Sequence, residues 1–223
     1  LEMTTVVGRN SRRTPVFKAA MSYLMLNPTW TVPPTILERD ILPQLRTNDN
    51  YLSEKNMRIV SLDGSPVYLD SLNLKKTSSR KFSSKYRIVK SAGASNDLGC
   101  AKFIFPNKHL IFIHDTPYKY NFSKSERALS SGCVRAEEPV KLAEYMLRKM
   151  PDWPADSVQQ MIKSGKTKRF DMDEKTEVWI YYLTAWVADD WTMNFRQDIY
   201  KKDQVIVDAL DNVVVEEEQL SAK

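Results

Sequence analysis

Cysteine and histidine are the scarcest residues in this chain, with two of each among 223. Cys100 and Cys133 stand far apart and neither belongs to a Cys-x-x-Cys pair. The usual spacing of a zinc site is therefore missing, and neither a metal nor a cofactor is expected. Long apolar runs are lacking too. Nothing approaches the roughly 18 uncharged apolar residues of a membrane helix, so no membrane segment is expected in this chain. The opening LEMTTVVGRN has neither an initiator Met nor an apolar signal core, and reads as the start of a piece cut from a longer protein. Glycine is sparse at 6 residues, within an otherwise ordinary soluble composition of 42% hydrophobic and 27% charged residues. The length suffices to bury a real core, as one large domain or two small ones.

What the chain does carry is a positive balance, +5 with a pI near 9.0, which favours anionic partners. The basic residues are scattered, with short clusters at RNSRR and KKTSSRKFSSK, and no nucleic-acid-binding motif accompanies them. A solvated basic surface is the preferred reading, and no nucleic-acid partner is expected. An acidic polymer such as the bacterial cell wall fits the charge.

The organisation reads as α+β, mainly β, with strands in the centre and helices at the edges. TPVFKAAMSYLMLN (14–27) reads as strand, broken after it by the prolines of PTWTVPP. TILERDILPQLR has helical spacing at Ile36, Leu37, Ile41 and Leu45, although Pro43 should end or kink it. YLSEKNM is a candidate short helix, and RIVSLDGSPVYL a hairpin about Asp63-Gly64. Residues 73–85 are polar, Ser-rich and basic, and read as a mobile loop. The stretch from about 34 to 86 thus differs from its surroundings and reads as an insertion folded over the main domain. CAKFIFP and HLIFIHDT read as a hairpin turning at Pro106-Asn107-Lys108, with His109 an exposed loop histidine. AEEPVKLAEYMLRKM and DSVQQMIKSGK read as helices, the second stopped at Gly165. TEVWIYYLTAWV and TMNFRQDIY read as two strands joined across ADDW, and residues 204–223 as a helical tail with a frayed end.

The chemistry concentrates in HDTPYKYNFSKSERALSSGCVR, residues 114–135. His114 falls where a buried strand leaves the core, on the same face as Phe112 if the strand is regular. A thiol needs a nearby imidazole to take its proton before it can act as a nucleophile at neutral pH. Gly132 permits an unusual backbone and close approach of a substrate, so N–H groups around Gly132 and Cys133 could face a developing oxyanion. Arg135 could hold the cysteine loop or pair with a substrate carboxylate. From the residues alone two readings stay open: a catalytic Cys133–His114 pair, or structural cysteines, with a Cys100–Cys133 disulfide among the structural options.

HDTP, Lys119, Phe122, RALSSGCVR and the 15 residues between His114 and Ser130 together resemble the signature of the L,D-transpeptidases, the YkuD-type catalytic domain. The resemblance is strongest to the YcbB-like subgroup of the Gram-negative envelope. It extends through MSYLMLNPTWTVPPTI, SAGASNDLGCAKFIFPN and YLTAWVADD…FRQDIY to about residue 203. The family's fold is a β-sandwich-like core with peripheral helices, and residues 34–86 occupy the place of its inserted capping subdomain. The resemblance implies that Cys133 is the nucleophile and His114 its base, oriented by a backbone carbonyl, with Asp115 structural. It implies an oxyanion hole from the backbone N–H groups of Ser131, Gly132 and Cys133. Arg135, with Trp30 and Phe112 as an aromatic pair, then lines the substrate cleft. Phe112 stands where a Tyr is expected, and Cys100 where a basic residue is expected.

The implied activity forms a thioester on a tetrapeptide stem with release of D-alanine, resolved by a diamino-acid amine to give a 3→3 crosslink. The implied partners are donor and acceptor stems of peptidoglycan, together with other enzymes of wall synthesis, in the periplasm. Two alternatives stand beside it: a cell-wall cysteine endopeptidase or amidase that resolves the thioester with water, and a non-catalytic wall-binding module.

Overall fold

The computed structural model describes residues 1–211 apart from 75–76, 149, 151–156 and 175. Two hydrophobic cores organise it. The first part of the chain supplies β1 (Thr5–Gly8), β2 (Phe17–Ala20), β3 (Tyr23–Leu26) and β4 (Trp30–Thr31). The expected single strand over 14–27 is thus two strands. They part at Met21-Ser22 and enter different sheets, because β2 pairs with a strand near the C-terminus while β3 joins the main sheet.

β5 (Met57–Ser61), β6 (Pro66–Val67) and β7 (Tyr86–Lys90) follow, and with β4 they form a four-stranded sheet in the order β4-β7-β5-β6. This sheet carries its own core of Val32, Leu37, Ile41, Leu42, Leu45, Leu52, Ile59, Leu74, Phe82 and Ile88. Pro43 does not end the helix before it. Pro34–Ile36, Leu37–Ile41 and Leu42–Leu45 run on continuously, the middle piece as a π-helical turn in which Leu42 N–H donates to Leu37 O. Such a turn loosens the carbonyl ladder four residues before the proline, where a proline ring would otherwise clash. Residues 73–85 are not simply a loop either. Ser79–Ser83 is helical, with Ser78 as N-cap accepting from Lys81 N–H, and Phe82 is 1% exposed. A lone aromatic in a Ser/Lys-rich run gives little periodicity to detect, yet its burial is what orders the segment.

The main sheet has seven strands. β8 (Ala101–Ile104), β9 (Ile113–His114), β10 (Ala128–Ser130), β11 (Val134–Ala136) and β12 (Lys168–Asp171) combine with β1 and β3 in the order β10-β1-β11-β9-β8-β3-β12. β11 runs parallel to β9, and β9 antiparallel to β8. The apolar face of β3 and β8 (Leu24, Leu26, Ala101, Phe103) packs with Ala143 and Leu147 of the helix Pro139–Leu147 and with Val158 of the helix Ser157–Ser164. The β8–β9 connection is a wide loop rather than a tight hairpin, and its Leu110 is 77% exposed at φ +57. β13 (Glu177–Ile180) pairs with β2, while β14 (Ala185–Val187) and β15 (Met193–Phe195) form a hairpin. The single strand expected over TEVWIYYLTAWV is therefore two. Residues 203–211 are helical, and the rest of the expected tail lies outside the described residues.

Strand register also settles the cysteine pairing. Lys102 faces His114 across β8–β9, which sets Cys100 level with Thr116. Val134 faces Ile113 across β9–β11, which sets Cys133 level with Phe112. Four residues of strand, about 13 Å, and two strand spacings of about 4.8 Å separate them, far beyond the ~7 Å limit for a disulfide. Both cysteines are free thiols.

Replacing Phe82 with Ala should lower the unfolding free energy by about 3–5 kcal/mol in denaturant titrations. A change below about 0.5 kcal/mol would mean that 79–83 behaves as the polar loop its composition suggests.

Candidate active site

Three residues in register across β8, β9 and β11 define the site: Lys102, His114 and Arg135. Partners at one level on adjacent strands project from the same face, so the imidazole sits between two cations. His114 is 6% exposed. Its Nδ1 lies 2.5 Å from the Asp115 backbone oxygen. A carbonyl can only accept, so Nδ1 carries the proton and Nε2 the lone pair. Burial first, then the positive charge of Arg135, pushes the imidazole pKa down to about 4, with Lys102 acting in the same direction. Asp115 turns its carboxylate elsewhere. It accepts from Cys100 N–H at 2.8 Å and from Lys119 Nζ at 2.5 Å. Gly99 (φ +58) permits this approach, since a Cβ there would stand 2.2 Å from the Asp115 carboxylate.

Cys133 follows a turn that only glycine can make. Gly132 has φ +119, in the region L side chains avoid. The turn is held on every side. Thr14 Oγ1 donates to Gly132 O at 2.7 Å, Gly132 N–H donates to Ser130 Oγ at 3.0 Å, and Ser130 Oγ donates to Cys133 O at 2.6 Å. Thr14 is fixed in turn by Gly8 N–H at 2.9 Å and by its own N–H donating to Tyr200 Oη at 3.3 Å. The Gly132 N–H is thus occupied, whereas no backbone hydrogen bond takes up the N–H of Ser131 or Cys133 among the described residues. Burial raises the Cys133 thiol pKa, while a hydrogen bond from the Phe112 backbone and the charges of Lys102 and Arg135 oppose that rise. Both shifts favour the uncharged forms, the thiol at Cys133 and the neutral imidazole at His114.

A cleft of about 710 Å³ opens between the two cores. Cys133, His114, Ser131, Arg135, Trp30 and Phe112 all line it, so the structure brings together every side chain singled out above. The Phe112 and His114 rings lie 5.5 Å apart. Trp30 comes from β4 and so belongs to the second sheet, which makes the far wall of the cleft together with Pro33, Pro34 and Ile36. Arg135 lines the cleft, and its Nε is buried with no hydrogen-bond partner among the described residues. His109 is exposed at the rim, its ring 5.3 Å from Phe17.

Sequence reasoning passed over Lys102 and Asp97. Lys102 Nζ sits 4.3 Å from the Phe112 ring centroid, and no carboxylate pairs with it among the described residues. The available signal was a lysine at an alternating position in a strand that is otherwise apolar. Asp97 lines the cleft and accepts from Lys90 at 3.0 Å and from Tyr118 Oη at 3.3 Å. No group of three or more His, Cys, Asp or Glu among the described residues could hold a metal.

Residues 1–180 match the model of the YkuD family, the L,D-transpeptidase catalytic domain. The fold is thus that of the L,D-transpeptidase catalytic domain, and the chain belongs to the YkuD family. Among curated proteins, a Haemophilus influenzae protein named "Putative L,D-transpeptidase" is 36% identical over 206 residues, 92% of this chain. The aligned region is 41% of that relative's length, so the chain spans well under half of it.

Replacing Lys102 with Met should raise the pKa of Cys133, since the ammonium now favours the thiolate. The pH midpoint of iodoacetamide alkylation, followed in a Cys100→Ala background, should move upward with Lys102→Met and stay in place with Lys102→Arg. An unmoved midpoint in both would reduce Lys102 to a packing role.

Proposed function

We propose that the chain is the catalytic unit of a peptidoglycan L,D-transpeptidase that works through a thioester on Cys133 to make 3→3 crosslinks. The observation that carries this reading is that Cys133, His114 and Arg135 line one cleft, with Lys102 in register with His114 on the neighbouring strand. His114 Nε2 takes the thiol proton as Cys133 Sγ attacks the carbonyl between the diamino acid and the terminal D-alanine of a tetrapeptide stem. The N–H groups of Ser131 and Cys133 face the oxyanion, and that of Gly132 joins them if the Ser130 hydroxyl turns away. His114 returns the proton to the D-alanine nitrogen as the C–N bond breaks, leaving a thioester. The side-chain amine of a second stem's diamino acid then attacks that thioester. It yields its proton through His114 and restores the thiol. One amide is broken and one formed, so no cofactor or energy source is needed.

Arg135 supplies the counter-charge for a stem carboxylate, which its position in the cleft lining supports. Trp30 and Phe112 supply apolar walls for the stem. Residues 34–86 act as the cap over the substrate, in keeping with their own core and their share of the cleft lining. The substrate places the enzyme in the envelope, in the periplasm of a Gram-negative cell, working beside other enzymes of wall synthesis. Its crosslinks contribute to cell shape, and carbapenems acylate its cysteine. No helix among the described residues is long and apolar enough to cross a membrane.

Intact-protein mass spectrometry after incubation with a carbapenem tests this directly. A single adduct should form on the wild type and on Cys100→Ala, and be absent from Cys133→Ala. His114→Ala should slow it by about 10²- to 10⁴-fold. Muropeptide analysis should then show 3→3 dimers and released D-alanine. Cleaved stems without dimers would favour the endopeptidase, and no adduct at all would favour a wall-binding module. Arg135→Gln should weaken use of stem peptide by about tenfold, and should also move the pH midpoint of Cys133 alkylation upward, because the Arg135 charge favours the thiolate.

A further inference from the structure

At the rim of the cleft one guanidinium joins two parts of the chain that belong to different cores. Arg12 ends the short 3₁₀ turn Asn10–Arg12. Its Nη1 and Nη2 donate to the two carboxylate oxygens of Asp40 at 2.6 and 2.9 Å, and Nη1 also donates to Ser131 Oγ at 2.9 Å. Asp40 lies in the π-helical turn Leu37–Ile41 and lines the cleft, while Ser131 stands two residues before Cys133. The Arg12 side chain is 12% exposed and that of Asp40 39%, so the guanidinium is largely buried while the carboxylate stays partly open to solvent. Arg9 adds a second hold on the turn, its N–H donating to Ser130 O at 3.0 Å and its Nη2 to Ser131 Oγ at 3.3 Å.

We propose that Arg12 is a positioning residue that couples the segment 34–45 to the nucleophile turn, so that seating of that segment on the cleft and the backbone geometry of Ser131–Cys133 are set together. A planar guanidinium grips a carboxylate with both of its arms, which fixes direction as well as distance. Movement of the π turn away from the cleft must break two charge-assisted hydrogen bonds or draw Arg12 with it, and Arg12 carries the Ser131 hydroxyl. Asp40 itself has no hydrogen bond to the turn among the described residues, so any effect it exerts there passes through Arg12. The π turn that bears Asp40 precedes Pro43, a departure from regular helix of the kind common at functional places. The proposal rests on Cys133 being the nucleophile, and it adds a residue from outside the catalytic strands.

Amide hydrogen exchange and meropenem acylation, followed on wild type, Asp40→Asn, Arg12→Lys and the control Glu38→Gln, test it. Glu38 is an exposed carboxylate in the same turn as Asp40, and its variant should behave as wild type. Asp40→Asn and Arg12→Lys should both speed exchange in residues 36–45 and in 128–134 together. They should slow acylation about tenfold, with iodoacetamide alkylation of Cys133 unchanged. Faster exchange confined to 36–45, with acylation at the wild-type rate, would overturn the coupling. A wild type whose Cys133 takes up no acyl group while the two segments still change together would sink the functional reading and leave the coupling standing.

Discussion

The alignment of Lys102, His114 and Arg135 across three strands is the constraint on which the rest of this structure depends. It exists only in one register. A slip of β8 or β11 by one residue would send the cation to the opposite face and bring an apolar side chain beside the imidazole. The register is anchored from the other side of the sheet, where Phe103, Ile113 and Val134 fall in line and Phe103 is fully buried. Core packing on one face thus fixes the electrostatics of the other. β1 closes the arrangement, because Val6 pairs with Arg135 and β10 lies along its far edge, so both ends of the Gly132–Cys133 turn leave from strands that flank β1.

Around that row the chain contributes pieces from remote positions, each with a definite mechanical task. Thr14 and Tyr200 brace Gly132 and Gly8 from near the two ends of the described chain. Gly132 makes the turn that brings Cys133 level with Phe112, two residues before His114 on the neighbouring strand. Asp115, next to His114, spends its carboxylate on Cys100 N–H and Lys119, and so ties the start of β8 to the end of β9. The imidazole is then oriented by a carbonyl that adds no full negative charge beside it.

Much of this was legible in the sequence because it was written locally. The His, Ser-x-Gly-Cys-x-Arg pattern, the helix after Pro139 and the stop at Gly165 all follow from neighbours in the chain. The α+β class followed from strand-like runs in the centre and helical spacing at the edges. What escaped was set by distant partners. Ser79–Ser83 is helical because Phe82 is buried in a core gathered from residues 32–88. Pro43 is tolerated because a π turn precedes it, a choice that spacing alone does not reveal. Met21-Ser22 breaks a run of strand formers because β2 and β3 find partners in different sheets. Lys102 went unnoticed because its significance lies in its cross-strand partner. The two cysteines looked pairable until register placed four residues of strand between their levels.

The same row bears on how the proposed chemistry can run. A resting thiolate–imidazolium pair is disfavoured twice, since burial raises the thiol pKa and lowers that of the imidazole to about 4. Lys102 and Arg135 split these effects: they favour negative charge at Cys133 and oppose positive charge at His114. An imidazole so placed is a weak base but, once protonated, a strong acid. On the proposed reading it would therefore hold the thiol proton only briefly, and the position of its pKa favours passing it on to the departing D-alanine nitrogen. The reaction would then be controlled at the point of attack. On the proposed reading the N–H groups of Ser131 and Cys133 would there stabilise charge as it moves from sulfur to carbonyl oxygen, with Lys102 and Arg135 favouring the thiolate. On that reading the thiol stays largely protonated until a substrate is bound.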